Sequence, residues 1–271
     1  MTQDVWLREH PYLESLATIH EQVERAVAES PIPTSPVPDF DEYIGDFHRG
    51  VPLLLSSSAG IILKLAEPAI LSLVDSLITK SLPGKLMGEC RALAAELHRD
   101  AHAPQRAVAW LLENEAVTPE NPGLLRYLGW IALARHLFPV ITAFGNWREE
   151  ERWLRSYCPT CGSPPAMAQL VGNDPGRLRF LSCGCCGSRW RFQRTGCPFC
   201  ENKDDHRLAI LSIEGERGLR IDYCENCDGY LKTYSGMENE TFFMADWTSL
   251  HLDILARDRG LRRLAVSLYE L

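Results

Sequence analysis

Apolar residues recur at helical spacing along "YLESLATIHEQVERAVAES", where Leu13, Leu16, Ile19, Val23 and Val27 share a face. "PIPTSPVPDF" interrupts that pattern with four prolines in ten residues and predicts a loop. The same periodicity predicts further helices over about 64–81, 86–99, 105–116 and 122–145, with Pro104 and Pro122 suited to first-turn positions. The stretch from Trp110 to Phe144 is apolar enough to be largely buried, and its Pro139 is expected to kink or end the last of these helices. "WREEERWLRSY", residues 147–157, is a charged bridge. Beyond it the pattern changes to short strand-like runs, "RLRFLSC", "SRWRFQR", "HRLAILSIEG" and "LRIDYC", separated by turn residues. "ADWTSLHLDILARDRGLRRLAVSLYEL" returns to helix, with Trp247, Leu250, Ile254 and Leu255 on one face and Gly260 placed to end it.

The strand-like region is also where the cysteines lie. Nine of the ten fall between 158 and 227, and only Cys90 stands outside. They form four CxxC pairs: Cys158 with Cys161, Cys183 with Cys186, Cys197 with Cys200, and Cys224 with Cys227. Two intervening residues let a tight turn aim both thiolates at one ion, and a four-thiolate tetrahedron needs two such turns. Clustered CxxC pairs in a chain whose "MTQDVWLREHPYLESL" start lacks a signal peptide's grammar point to metal rather than disulfides. Twenty-one residues separate Cys161 from Cys183 and 23 separate Cys200 from Cys224, so 158–186 and 197–227 read as an internal repeat. Sequential pairing then gives one site from Cys158, Cys161, Cys183 and Cys186 and another from Cys197, Cys200, Cys224 and Cys227. A central ribbon pairing the two inner turns fits the ten-residue gap between Cys186 and Cys197 less well. Cys185 is left in a middle position pointing away from the metal, as a small exposed residue. Gly162, Gly187 and Gly229 lie just past three of the turns, where a left-handed conformation is often required. All-sulfur tetrahedra hold zinc or iron, and spacing does not separate the two.

Charge narrows the function. The net charge is −8, and residues 156–271 carry 14 Lys and Arg against 15 Asp and Glu. A nucleic-acid-binding ribbon is expected to be more basic. The cluster Arg177, Arg179, Arg189, Arg191 and Arg194 is the best argument for one, set against compensation of an anionic thiolate site. No apolar stretch is uninterrupted over a bilayer's thickness, so no membrane insertion is expected and the chain reads as cytoplasmic. No GxGxxG after a strand and no P-loop is present. The eight histidines are scattered, with His98 and His102 the only i,i+4 pair, read as packing or surface residues. Asp204, Asp205 and His206 read as a solvated turn.

"CPTCGSPP", "LRFLSCGCCGSRWRFQRTGCPFC", "YCENCDGYLKTY" and the closing "MADWTSLHLDILARDRGLRR" together resemble the FdhE family, formate dehydrogenase formation (accessory) proteins, densely over about 156–263. The resemblance implies an α+β chain: an N-terminal helical bundle, then tandem rubredoxin-like or zinc-ribbon-like β modules and a terminal helix. The expected division is 1–153 helical, 154–192 first ribbon, 193–240 second ribbon and 241–271 C-terminal helix. It further implies two metal ions, iron by resemblance or else zinc, and a non-enzymatic role. The expected partner is the catalytic subunit of formate dehydrogenase, contacted late in its maturation. Asp228, Tyr230 and Lys232, just after the last turn, are candidate partner-binding residues. The chain departs from the family pattern at the extra Cys185 and at "IDYCENC". A rubredoxin-like redox protein is the alternative reading, and a nucleic-acid-binding zinc ribbon a more distant one.

Overall fold

The computed structural model describes residues 3–80, 82–112, 118–173, 176–216, 218–236 and 240–269. The chain is α+β and divides into two compact units. One comprises Met1–Leu13, Tyr43–Ser56 and Arg148–Ser267; the other comprises Glu14–Glu42, Ser57–Trp147 and Leu268–Leu271. The expected helical region 1–153 therefore contributes three of its own segments, 1–13, 43–56 and 148–153, to the cysteine-rich unit.

The helical unit contains α2 (Glu14–Glu29), α4 (Glu67–Leu77), α5 (Gly84–Leu97), α6 (Ala103–Leu111) and α7 (Pro122–Trp147). α1 (Gln3–Glu9) and α3 (Ile44–Arg49) precede and interrupt this set in sequence and belong to the other unit. The helices expected at 64–81, 86–99 and 122–145 correspond to α4, α5 and α7. The last residues of the one expected at 105–116 lie outside the described residues. α7 passes through Pro139 without ending. A proline there removes one intrahelical N–H donor, and burial of eleven α7 side chains from Leu124 to Phe144 outweighs that loss. α7 is long and apolar enough to cross a membrane by length and composition, yet half of its apolar window is buried and it packs on α2, α4, α5 and α6. It is the core helix of its unit. Cys90 belongs to the same core, 1% exposed, and burial pushes its thiol up to about 11.

The cysteine-rich unit is built on a seven-stranded mixed sheet: β1 (Pro165–Val171), β2 (Leu178–Cys183), β3 (Arg189–Phe192), β4 (Leu208–Ser212), β5 (Leu219–Cys224), β6 (Gly229–Tyr234) and β7 (Arg262–Arg263). The strand order is β3-β2-β1-β6-β5-β4, with β7 on β6. Each half is an antiparallel meander, and the halves join where β1 runs parallel to β6, with Met167 opposite Lys232 and Gln169 opposite Tyr234. The tandem ribbons thus share one continuous sheet. α8 (Glu240–Phe243) and α9 (Leu250–Asp258) follow. The terminal helix is shorter than the expected 241–271, because Gly260 at φ 77° turns the chain and Arg262–Arg263 pairs with β6.

β6, "GYLKTY", is buried at every position. Its residues do not alternate inside and outside because both faces are covered. Trp6, Leu13, Met167, Ile221, Tyr230, Tyr234, Phe243 and Leu252 form one core cluster on this half of the sheet. Under the first half, Phe47 stacks on Trp153 at 5.3 Å, and Trp153 is fully buried. The backbone N–H groups of Leu53 and Leu54 donate to the carbonyls of Pro159 and Thr160 at 2.9 and 2.8 Å. The Tyr157 hydroxyl donates to the Gly50 carbonyl at 2.7 Å. Residues 50–54 therefore lie along the first cysteine turn and shield it from water.

Candidate metal centres

The eight paired cysteines gather as two groups of four, Cys158, Cys161, Cys183, Cys186 and Cys197, Cys200, Cys224, Cys227, with all sulfurs of a group within 4.8 Å of one another. In each group the first turn leads into the meander and the second turn joins its last two strands. The repeat read from spacing is thus also a repeat of elements.

Sulfur separations test whether a metal would fit. Cys158 and Cys186 are 3.5 Å apart, Cys161 and Cys183 3.4 Å, Cys197 and Cys227 3.7 Å, and Cys200 and Cys224 3.8 Å. The edge of a tetrahedron with metal–sulfur bonds of about 2.3 Å is about 3.8 Å, whereas a disulfide would need about 2.05 Å. Both groups could hold a metal ion. The chemistry of four thiolates suits zinc and iron alike.

The turns prepare the sulfurs as acceptors. Thr160 N–H donates to Cys158 Sγ at 3.4 Å, Cys186 N–H to Cys183 Sγ at 3.5 Å and Phe199 N–H to Cys197 Sγ at 3.4 Å. The first quartet is buried throughout, while Cys200 and Cys227 of the second are partly exposed. The second quartet has side-chain amides where the first has the hydroxyls of Ser163 and Ser188: Asn226 Nδ2 lies 3.5 Å from Cys200 Sγ and Asn202 Nδ2 3.7 Å from Cys224 Sγ. Burial alone would raise the Cys200 thiol, but the hydrogen bonds from Asn226 and Asn202 outweigh it and bring it down to about 7. In the first quartet, close neighbouring sulfurs push Cys161 and Cys183 well up, while Cys186, despite its burial, is held well down by hydrogen bonding to Cys158 and the other sulfurs.

Each turn ends on a residue with positive φ. Gly162 and Gly187 serve the first quartet, at 85° and 76°. In the second, the corresponding residues are Glu201 and Asp228, at 58° and 56°, the only non-glycine residues with positive φ among those described. The expectation for Gly229 is therefore displaced by one residue. Gly229 is a glycine because a Cβ there would meet Leu264 at 2.7 Å and Cys227 Sγ at 3.1 Å. Asp228→Gly should leave metal content unchanged and stabilise the chain by up to about 1 kcal/mol, since glycine reaches this conformation without the Cβ penalty. Chemical denaturation of the metal-loaded protein checks this, and a loss of metal on substitution would count against it.

Several expectations are corrected by burial. Cys185 lies outside the quartet, but it is 5% exposed rather than a surface residue. Tyr230 and Lys232 are not surface residues either. The Tyr230 hydroxyl donates to Asp253 at 2.7 Å, and Lys232, 1% exposed, bridges Asp246 at 2.6 Å and Asp253 at 2.9 Å. Arg263 completes this network, reaching Asp246 at 2.7 Å and Asp253 at 2.6 Å. Only Asp228 of the three candidates faces solvent. Much of the arginine cluster is used internally: Arg179 donates to the Gly196 carbonyl at 3.0 Å, Arg189 lies over Phe180 at 4.1 Å and Arg191 pairs with Glu151 at 2.5 Å. His98 pairs with Asp75 at 2.9 Å on the surface of the helical unit. Asp204 accepts from His206 N–H at 3.0 Å, closing the expected turn.

A cavity of about 470 Å³ opens beside the second quartet, lined by Cys197, Cys224, Phe199, Arg194 and Arg220 among others. Asp222 also lines it, but its carboxylate accepts from Arg220 at 2.8 Å and from Thr233 Oγ1 at 2.8 Å. That carboxylate is tied down as an ion-pair partner rather than poised as a base.

Residues 157–194 match the family model described as FdhE, central domain. A protein FdhE homolog of Stutzerimonas stutzeri (strain A1501) is 28% identical over 271 residues, covering 96% of this chain and 84% of the relative. The chain is similar to the FdhE proteins. An FdhE homolog of Aquifex aeolicus (strain VF5) is 29% identical over 133 residues, and there the match spans 47% of either chain. The crystal structure of the FdhE protein from Pseudomonas aeruginosa shares the fold, with a TM-score of 0.63 at 24% identity over 95% of this chain and 88% of that one. The match to the family model covers the first quartet, the more deeply buried of the two centres, and the strands between its turns.

Proposed function

We propose that this protein is a metal-binding accessory factor for formate dehydrogenase, which binds the catalytic subunit and supports its maturation without turning over substrate. The observation that carries the reading is the pair of four-cysteine centres in an FdhE-like chain. The eight cysteines are the proposed ligands, and a metal held by four thiolates is coordinatively closed. Neither quartet then offers a position for formate or water. What a closed centre supplies is rigidity: it locks two turns and the strand ends attached to them, and so fixes the surface around the second turn, including exposed Asp228. Iron is the metal the family resemblance implies; zinc would serve the same structural role. The proposed place of action is the cytoplasm, where reduced thiolates persist.

The test is a deletion strain. Formate dehydrogenase activity should fall to a small fraction of normal while the catalytic polypeptide is still made. Normal activity in the deletion strain would refute the proposal. A redox role for the quartets is favoured by no specific feature of the sites.

A further inference from the structure

Outside the cysteine centres, the unit contains a third convergence of metal-ligating groups: His10, Glu216 and His251. They come from the chain just after α1, the connection between β4 and β5, and the first turn of α9. His10 Nε2 lies 3.2 Å and His251 Nε2 2.6 Å from the same Glu216 oxygen, Oε1. The three side chains are 10%, 7% and 10% exposed.

Protonation does not account simply for this arrangement. His10 Nδ1 lies 3.0 Å from the Trp6 carbonyl oxygen, which can only accept, so Nδ1 carries a proton. If His10 also donated from Nε2 to Glu216, the buried ring would have to be an imidazolium. In the neutral ring with Nδ1 protonated, Nε2 is a lone pair aimed at a carboxylate oxygen. Two acceptors facing each other in a buried site need a proton or a metal ion between them. A metal-bound histidine characteristically donates its other N–H to a carbonyl or carboxylate, as His10 does to Trp6. Glu216 Oε2 and His251 Nδ1 are buried without a hydrogen-bond partner among the described residues. The carboxylate thus has a second oxygen available for coordination.

The distances suit the same reading. Ligands at right angles around a six-coordinate ion at about 2.1 Å stand about 3.0 Å apart, close to the His10–Glu216 separation of 3.2 Å, while His251 at 2.6 Å is at direct hydrogen-bond distance and would draw back slightly to admit an ion. Trp6 stacks on the His10 ring at 3.8 Å and fixes its plane. Tyr12 sits edge-on to both imidazoles at 5.8 and 5.9 Å and is itself 59% exposed. The cluster is therefore held by Trp6 on one side and bordered by the exposed Tyr12 ring.

We propose that His10, Glu216 and His251 form a third metal site, binding a divalent transition ion, zinc or iron(II), through two Nε2 atoms and a carboxylate. Two histidines and one carboxylate leave coordination positions open, unlike either cysteine quartet. This ion would accept water or a small anionic ligand beside Tyr12 and would tie the N-terminal segment to the sheet and to α9. The proposal does not depend on the formate dehydrogenase reading.

The test uses the full chain with both quartets loaded with zinc, titrated with Co²⁺ under anaerobic conditions. A third equivalent should bind, with the weak d–d absorption of nitrogen and oxygen ligands and without new thiolate charge-transfer bands. Glu216→Gln and His251→Asn should each weaken that binding roughly tenfold or more, while quartet zinc is retained. X-ray absorption at the cobalt edge of the unsubstituted chain should show nitrogen and oxygen neighbours, whatever the folding of the variants. No third equivalent, sulfur neighbours, or binding unaffected by either substitution would overturn the site and leave a proton-sharing His–Glu–His network.

Discussion

Replacing Cys183 by serine is expected to empty the first quartet and unfold the sheet around it. Metal analysis should fall from about two quartet-bound ions per chain to about one. Cys183 ends β2, and its sulfur receives the Cys186 N–H and stands 3.4 Å from Cys161. Structural zinc contributes about 10–16 kcal/mol of apparent binding free energy in small modules, and whole domains are stable by only about 5–15 kcal/mol. Losing one such centre is therefore enough to abolish cooperative unfolding of this unit. The neighbouring Cys185→Ser is the control. It should keep both quartet ions and cost about 1–3 kcal/mol, because a buried hydroxyl replaces a buried thiol. Equal metal loss in the two variants would contradict the assignment of ligands.

Lys232→Met should be the most damaging single change away from the cysteines, at about 3–5 kcal/mol. The ammonium group is buried, donates to Asp253 and to the carbonyls of Asp246 and Ser249, and forms an ion pair with the Asp246 carboxylate. Methionine keeps the volume but leaves two carboxylates to share Arg263. Burial would raise the Asp246 carboxyl, but Lys232 and Arg263 together hold it below the usual aspartate value. Stability from that carboxylate is present above the unfolded aspartate pKa of about 3.9 and is lost as pH falls through the depressed folded value. The unsubstituted network should thus lose nothing between about pH 8 and pH 5. In the methionine variant Asp246 takes up a proton more readily, so the deficit should narrow toward the acid side. Urea denaturation of both metal-loaded proteins across that range measures the effect, and a cost under about 1 kcal/mol would show that the network is not a stability element.

These two sites differ in how far the sequence reveals them. The quartets are local: two CxxC turns each, with a repeated spacing, specify which sulfurs meet before any coordinates are considered. The merger of the ribbons along β1 and β6 was not legible, because parallel pairing between strands 65 residues apart in register, as at Met167 and Lys232, leaves no turn signature. Burial of Lys232 follows from that merger. In an edge strand the lysine would reach water, but β6 has a strand on either side and helical cover above it, and its ammonium meets carboxylates from the segment after it. The positive φ of Asp228 was obscured by the adjacent Gly229, whose role is close packing rather than turn geometry. His10 and His251 are separated by almost the whole chain and joined through a hairpin glutamate, so neither spacing nor motif could bring them together. For Cys185, position between two ligands reads correctly as lying outside the quartet, but exposure is a tertiary property that the motif does not encode.

The central claim concerns a partner, and capture of that partner tests it most directly. A tagged full-length chain, retaining both quartet ions, is isolated anaerobically from cells making formate dehydrogenase. The catalytic subunit should be recovered with it, and a Cys183→Ser chain made at the same level should recover far less. Recovery of no catalytic subunit by the metal-loaded protein would contradict the account.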